Sequence, residues 1–137
     1  MREEAYGAGD DAIDGMPHIP NGAILGYPVI SVEADFGHVG SGQCLLGADA
    51  SAEERAEQCL QHKVTDKTPT AFLWHTSDDA GVSVKNSLAF ASALRDCGIP
   101  FEMHIFPHGP HGLGLAPDRP DVSKWAFLAA EWIERCV

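Results

Sequence analysis

Two acidic and two imidazole side chains of this sequence are candidates for acid–base chemistry. Asp78 and Asp79 are adjacent in the chain, and His108 and His111 follow, with 32 residues separating Asp79 from His111. An imidazole can take the proton from a weak nucleophile such as a serine hydroxyl. A neighbouring carboxylate then fixes the imidazole tautomer and stabilises the imidazolium. These residue types therefore predict an acid and a base, provided that the fold brings them together.

Three apolar segments that flank these residues predict β-strands. Residues 23–30 form a continuous apolar run, typical of a strand buried on both faces, and residues 70–76 form a second run. Residues 101–106 alternate between apolar and polar side chains, which indicates a strand near the edge of a sheet. Residues 1–20 are rich in Gly, Asp and Pro and predict a poorly ordered lead-in, so that residues 21–137 form the folded unit.

Three helices are predicted between and after these strands. The first covers residues 51–61 and starts at a capping box of Ser51 and Glu54, and the second starts at Ser83 and stops before Gly98. Their expected apolar positions are Val84, Leu88, Ala91 and Leu94 in the second helix and Trp125, Leu128, Ala129, Trp132, Ile133 and Cys136 in the third. Strands that alternate with helices predict an α/β fold, with a parallel sheet of about three strands and flanking helices.

The parallel arrangement has a consequence for the candidate acid and base. Residues 77–82 follow the second strand and contain both aspartates, and residues 108–114 follow the third strand and contain both histidines. Loops that follow the carboxyl ends of parallel strands lie along one edge of the sheet, where α/β proteins place their binding sites. We therefore expect the two loops to meet.

The segment FLWHTSDDAGVSVKNSLAFASALRDCGIPFEMHIFPHGPHGLGLA resembles the C-terminal end of the acetyl-esterase and acetylxylan-esterase-like α/β-hydrolases. The features that carry this resemblance are D-x-x-V after one strand and G-x-H-G after the next. The resemblance implies that Asp79 is the acid and His111 the base of a catalytic triad, in the chain order Ser, Asp, His of that fold. Ser83 stands where relatives often have proline. Residues 23–31 and 45–47 resemble the same family.

Other assignments remain open from the residues alone. Asp78 could replace Asp79 as the acid, and His108 could replace His111 as the base, although His108 lacks the flanking glycines. These side chains, with His75 and His104, could instead bind a metal ion, but their spacing does not match a zinc motif. They could also be polar loop residues without a catalytic role.

The nucleophile of the expected triad is missing from the sequence. No G-x-S-x-G elbow is present: the glycines beside Ser41 are in the wrong register, and Ser31 lies between the β-branched Ile30 and Val32. No HGG-type segment that could supply an oxyanion donor is found either. We therefore expect the chain to be the C-terminal half of a longer enzyme that supplies Asp79 and His111 but not the serine.

The charge and the cysteine content of the chain limit the kinds of partner and the cellular location that we expect. The chain has 20 acidic and 9 basic side chains and a net charge of −11, which disfavours nucleic acid and anionic membranes as partners. The four cysteines form no C-x-x-C pair, and each lies among apolar or helix-forming residues, which indicates buried free thiols in a reducing, cytoplasmic location. No cofactor and no metal ion is expected.

The function that these observations predict is a serine hydrolase that cleaves small carboxylic esters. Acetylated sugars enter as substrates through the family resemblance alone. Two alternatives remain: a dipeptidyl-type serine peptidase of the same fold, and an inactive remnant that associates with itself through the exposed edge strand at residues 23–30.

Overall fold

The computed structural model describes Met16 and residues 19–33 and 35–136. Most of the predicted lead-in therefore lies outside the described residues. Strands and helices follow one another as β1 (Gly22–Gly26), α1 (Val39–Leu46), α2 (Ala52–Glu57), a 3₁₀ turn (Leu60–His62), β2 (Thr70–Thr76), α3 (Lys85–Asp96), β3 (Phe101–Phe106) and α4 (Lys124–Cys136).

The three strands form a parallel sheet in the order β1-β2-β3. In the register, Gly22 is opposite Thr70, and Thr76 at the end of β2 is opposite Phe106 at the end of β3. The predicted α/β architecture of three parallel strands with flanking helices is confirmed. Because β2 and β3 end at the same level, the loops that follow them start side by side.

Alternate side chains of β2 form the centre of two apolar layers. Phe72 and Trp74 face α4, where they pack with residues that include Ala129 and Trp132. Ala71 and Leu73 face the other way, toward Leu94 of α3 and its neighbours. Burying a large apolar side chain contributes about 1.5–3 kcal/mol. The strand that leads to the candidate acid is therefore the most firmly packed element of the sheet.

Strand β1 differs from its prediction. It ends at Gly26 instead of residue 30, because Tyr27 adopts a φ of 38° and Pro28 has no N–H to donate to a sheet. The expectation that it is buried on both faces is also wrong, since β1 is an outer strand of the described sheet and Ile24 is 41% exposed.

Helix α1 (Val39–Leu46) was not predicted, because two glycines in VGSGQCLL lower its helix propensity. Two tertiary features compensate. The His38 side chain accepts a hydrogen bond from the N–H of Ser41 at the start of the helix, and Gly42 is buried against Val32, where a larger side chain would not fit.

The remaining helices follow their predictions with smaller departures. The capping box of Ser51 and Glu54 is present, but α2 stops at Glu57. Ser83 lies one residue before the N-cap, and its hydroxyl accepts from the N–H of Lys85. Leu88, Ile133 and Cys136 were expected on apolar helix faces but are exposed. The expected burial of the cysteines is also wrong for Cys44 and Cys97, which are exposed, whereas Cys59 is buried.

Candidate active site

Residues 76–79 connect the loop after β2 to the loop after β3. The hydroxyl of Thr76 donates to the carbonyl of Gly109, and the hydroxyl of Ser77 donates to the carbonyl of Pro107, both at 2.7 Å. The next two residues are Asp78 and Asp79, and each forms an ion-pair contact with a histidine of the second loop. The parallel register therefore continues beyond the strands as contacts between side chains of the two loops.

Asp79 and His111 form the inner of these pairs. Nδ1 of His111 lies 2.9 Å from Oδ2 of Asp79, and the other oxygen, Oδ1, accepts from the backbone N–H groups of Gly81 at 2.8 Å and Val82 at 3.0 Å. The carboxylate is a hydrogen-bond acceptor, so Nδ1 of His111 carries the proton and donates it to Asp79. Nε2 is then the ring nitrogen that is left to accept a proton from a reacting group.

Burial and hydrogen bonding act on the Asp79 carboxyl in opposite directions. Burial by itself raises the pKa of Asp79, whereas the hydrogen bonds from Val82, His111 and Gly81 lower that pKa. The hydrogen bonds prevail, and the pKa of Asp79 lies below its ordinary value. Asp79 is therefore a buried carboxylate that stays ionised, which is the form that stabilises an imidazolium.

The His111 ring faces outward at its other end. The side chain is 37% exposed, and Nε2 has no hydrogen-bond partner in the part of the chain that the structure describes. Tyr27 packs edge-on against the ring, with the ring centroids 4.8 Å apart. The imidazole is thus fixed at Nδ1 and along one side, while its basic nitrogen is open to a reacting group.

Aromatic side chains from both ends of the described chain fix the loop after His111. The N–H of Gly114 donates to the Tyr27 hydroxyl, and the carbonyl of Gly114 accepts from the Trp125 indole. Trp125 stacks on Trp74 with centroids 5.0 Å apart. Tyr27 therefore contacts both the ring of His111 and the loop that carries it.

The two glycines of the G-x-H-G segment, Gly109 and Gly112, are each required for a different steric reason. A Cβ on Gly109 would lie 2.7 Å from Leu113 Cδ1 and 3.0 Å from Thr76 Cγ2. Gly112 has a φ of 81°, a conformation that side chains other than glycine rarely adopt. The two glycines allow the tight loop in which His111 approaches Asp79.

Asp78 and His108 form an outer pair. Nδ1 of His108 lies 2.9 Å from Oδ2 of Asp78, and the N–H of Gly109 donates to Oδ1 at 2.8 Å. The hydrogen bonds from His108 and Gly109 lower the pKa of Asp78. The His108 side chain is 78% exposed and that of Asp78 is 51% exposed. This pair links the two loops on the solvent side.

The two serines considered in the sequence have other contacts. Ser31 is fully buried, and its hydroxyl lies 3.4 Å from the Cys59 sulfur. The Ser41 hydroxyl is 2.8 Å from Nδ1 of His38 at the start of α1. Neither serine forms a hydrogen bond with His111 among the described residues.

The histidines considered as metal ligands contact different carboxylates. His75 and His111 lie against Asp79, His108 lies against Asp78, and His104 lies 2.9 Å from Glu102. Among the residues that the structure describes, no group of three or more His, Cys, Asp or Glu side chains is arranged to hold a metal ion.

Sequence reasoning missed three side chains of this region. Tyr27 was read as part of a strand, and His75 was considered only as a metal ligand, yet its Nε2 lies 3.3 Å from Oδ2 of Asp79. Ser87 contacts His75 from α3 at 2.8 Å. One signal was available: a histidine inside the buried strand TAFLWHT needs a polar partner, and Asp79 follows four residues later.

Comparison with known proteins assigns the chain to a family. Residues 17–137 match the profile of the prolyl oligopeptidase family, peptidase S9. The chain is 43% identical over 115 residues to endo-1,4-beta-xylanase B of Butyrivibrio fibrisolvens, and 33% identical over 100 residues to an acetylxylan esterase of Xylanibacter ruminicola. These matches cover 80% and 70% of the chain but only 18% and 21% of the two relatives.

A solved structure gives the same result. The acetyl ester-xyloside bifunctional hydrolase of Caldicellulosiruptor lactoaceticus superposes with a TM-score of 0.88 at 47% sequence identity. The match covers 93% of this chain and 47% of that structure, so the chain spans about half the length of this relative. The strand order, the helices over the sheet and the family match lead to one conclusion: the chain belongs to the prolyl oligopeptidase family of α/β-hydrolases.

Proposed function

We propose that this chain is the C-terminal half of a serine hydrolase that cleaves small carboxylic esters, with Asp79 as the acid and His111 as the base. The observation that carries the proposal is the buried Asp79–His111 pair, in which Nδ1 of His111 is bonded to the carboxylate and Nε2 is open. A serine nucleophile requires this arrangement, in which the carboxylate holds Nδ1–H and Nε2 is free to take the hydroxyl proton.

In the proposed reaction His111 acts twice. Nε2 first takes the proton of the serine hydroxyl as its oxygen attacks the ester carbonyl, and then gives that proton to the leaving alcohol. In the second half, Nε2 takes a proton from water as the water oxygen attacks the acyl-enzyme, and returns it to the serine. Asp79 remains ionised throughout and stabilises the imidazolium.

Acetylated sugars are the proposed substrates. This part of the proposal is supported by relatives whose names include acetylxylan esterase and acetyl ester-xyloside hydrolase.

The four cysteines are unpaired, which supports the reducing, cytoplasmic location expected from the sequence. Among the described helices, none combines the length and the apolar character that a membrane crossing requires.

The serine and the oxyanion donors are proposed to come from a preceding segment that packs along β1. Two observations support this arrangement: the chain covers 47% of the solved relative, and β1 presents an apolar outer edge at Ile24. An apolar groove beside this edge is lined by residues that include Gly26, Tyr27 and Trp74. The preceding segment would then pack on a single surface of this chain, formed by the outer edge of β1 and the adjacent groove.

The proposal is tested first in the genomic DNA. A reading frame that encodes G-x-S-x-G should lie upstream of the codon for Met1, in the same or another frame. Expression of that segment joined to this chain should yield hydrolysis of p-nitrophenyl acetate, whereas the 137-residue chain alone should yield none. Absence of any such motif upstream would refute the proposed fragment, and so would ester hydrolysis by the chain alone as a monomer.

A peptidase is the second candidate, because the matching family profile is that of prolyl oligopeptidases. The same acid and base would serve an amide as well as an ester. The joined enzyme should be assayed in parallel with p-nitrophenyl acetate and with a Pro-linked p-nitroanilide. Faster turnover of the anilide would favour the peptidase.

An association module is the third candidate, and the exposed edge of β1 supports it. This hypothesis predicts a dimer or a larger species of the isolated chain in solution. Sedimentation velocity would distinguish a monomer from a self-associated species. A monomer over a wide concentration range would exclude self-association through β1.

A further inference from the structure

His75 is a buried histidine at the end of β2 that the proposed reaction does not use. Its side chain is fully buried, and its ring is surrounded by Asp79, Val82 and Ser87. A buried imidazole with polar partners on both nitrogens has a defined protonation state, because each partner restricts what the facing nitrogen can carry.

The partners of Nε2 determine the tautomer. Nε2 lies 3.0 Å from the carbonyl oxygen of Val82 and 3.3 Å from Oδ2 of Asp79. Both are acceptors, so Nε2 carries a hydrogen, which bonds to the Val82 carbonyl and lies beside Oδ2 of Asp79. Nδ1 lies 2.8 Å from the hydroxyl of Ser87, which can donate to it. A neutral ring protonated at Nε2 therefore satisfies every polar atom in this cluster.

Burial keeps this ring uncharged. It is the largest influence on His75 and lowers its pKa, outweighing the bond to Val82 and the charge of Asp79, which act in the opposite direction. The charge of His75 matters, because a cationic ring at this position would neutralise Asp79 and compete with the His111 imidazolium. A neutral N–H turns the positive end of its dipole toward Asp79 without adding a net charge.

The contact with His75 completes the set of donors around Asp79. Oδ1 accepts two backbone N–H groups, and Oδ2 accepts from His111 at 2.9 Å and faces His75 at 3.3 Å. Val82 closes the arrangement, since its N–H bonds to Asp79 and its carbonyl bonds to His75. Rotation of the carboxylate would break bonds on both sides.

We propose that His75 is a positioning residue of the acid–base pair: its neutral Nε2–H fixes Asp79 Oδ2 toward His111 and leaves the negative charge of Asp79 available to the imidazolium. The role in the reaction rests on the proposed function. The bonding arrangement itself does not depend on the serine or on any hydrolysis.

The first test is the imidazole ¹⁵N spectrum of the ¹⁵N-labelled 137-residue chain at neutral pH. We expect the nitrogen shifts of a neutral ring for His75, with the hydrogen on Nε2. A hydrogen on Nδ1, or a doubly protonated ring, would overturn the proposal. This measurement needs no variant and no substrate, so its failure is separable from failure of the proposed function.

The second test follows the His111 Nδ1–H proton in two variants. His75→Leu removes the N–H that faces Oδ2, which should make that oxygen a stronger acceptor and move the His111 signal downfield. His75→Gln can still place an amide N–H near Asp79 and should restore much of the original shift. An unchanged His111 signal in a folded His75→Leu chain would contradict the positioning role.

Ser87→Ala is the matched control for burial. It removes a polar contact of the same buried cluster but leaves the Nε2–H of His75 beside Asp79. Its His111 signal should stay close to that of the unsubstituted chain. In the joined enzyme, His75→Leu should lower kcat with little change in KM, and Ser87→Ala should have the smaller effect on kcat.

Discussion

The two Asp–His pairs of this chain share one distance and differ in their surroundings. Both place an imidazole Nδ1 2.9 Å from a carboxylate oxygen, and their aspartates are adjacent in the sequence. The Asp79 side chain is fully buried, however, whereas that of Asp78 is 51% exposed. The distance between the partners therefore does not distinguish a candidate catalytic pair from a structural contact.

Burial and the number of donors make the distinction. Around Asp79, water is replaced by two backbone N–H groups and two imidazoles, so the charge acts over short distances in a low dielectric. Asp78 has His108 and the N–H of Gly109, and solvent reaches the rest. Solvent screens the outer pair and leaves it free to rearrange.

The largest expected difference between the pairs is in catalysis. In the joined enzyme, Asp79→Asn should lower kcat by up to about 10⁴-fold, because the amide favours the wrong tautomer of His111. Asp78→Asn should change kcat by only a few-fold. The variants are compared by p-nitrophenyl acetate turnover, and a greater loss in Asp78→Asn would assign the acid to Asp78.

Stability should follow the same order. Asp79→Ala leaves the N–H groups of Gly81 and Val82 without their acceptor in a buried site, and unsatisfied buried donors cost about 1–3 kcal/mol each. Urea denaturation should show a loss of about 3 kcal/mol in the free energy of unfolding. Asp78→Ala should show a smaller loss, and equal losses would remove the distinction between the pairs.

The pH dependence of stability should report His75, which has no counterpart at the outer pair in the described chain. Because burial lowers the pKa of His75, the unfolded chain binds a proton below about pH 6.5 that the folded chain does not bind. The free energy of unfolding should therefore fall as the pH decreases below that value. His75→Gln should flatten this part of the profile, measured by urea denaturation, whereas parallel profiles would argue against a buried neutral ring.

Asp78 and Asp79 affect the pH dependence of stability at a lower pH than the one at which the effect of His75 begins. Their pKa values lie below the ordinary value, so the stability that they contribute is present above about pH 4 and is lost as the pH falls through the lowered pKa values. The loss of stability that the aspartates cause should therefore start at a lower pH than the loss that His75 causes.

The smallest expected difference is in the response to salt. A contribution of the outer pair should decrease in about 1 M NaCl, because exposed charges are screened and buried charges are screened much less. The difference in unfolding free energy between the chain and its Asp78→Asn variant should therefore shrink with salt, while the difference for Asp79→Asn should persist. A salt-sensitive Asp79 would indicate that water reaches the inner pair.

The sequence predicts the elements and the meeting of the two loops because both follow from local patterns. The apolar run of β2, the alternation in β3 and the interval of 32 residues between Asp79 and His111 depend on strand and helix periodicity. Contacts between distant segments are different. The side chain of Tyr27 on His111 depends on how β1 ends, and no local pattern reports that packing.

Helix α1 and the outer pair show the same limit. A helix with two glycines exists because Gly42 packs closely against Val32, which is a tertiary reason that overrides propensity. In the sequence, Asp78 and Asp79 were rivals for one role. In the structure His108 contacts Asp78 and His111 contacts Asp79, and burial and the number of donors distinguish the two carboxylates.

The assignment of Asp79 and His111 as the acid and base of an ester hydrolase is tested most directly on the two histidines. His111→Ala and His108→Ala are made in the joined enzyme, and p-nitrophenyl acetate hydrolysis is measured for each. We expect a loss of at least about 10³-fold in kcat for His111→Ala and nearly full activity for His108→Ala. Retained activity in His111→Ala, with a loss in His108→Ala, would contradict it.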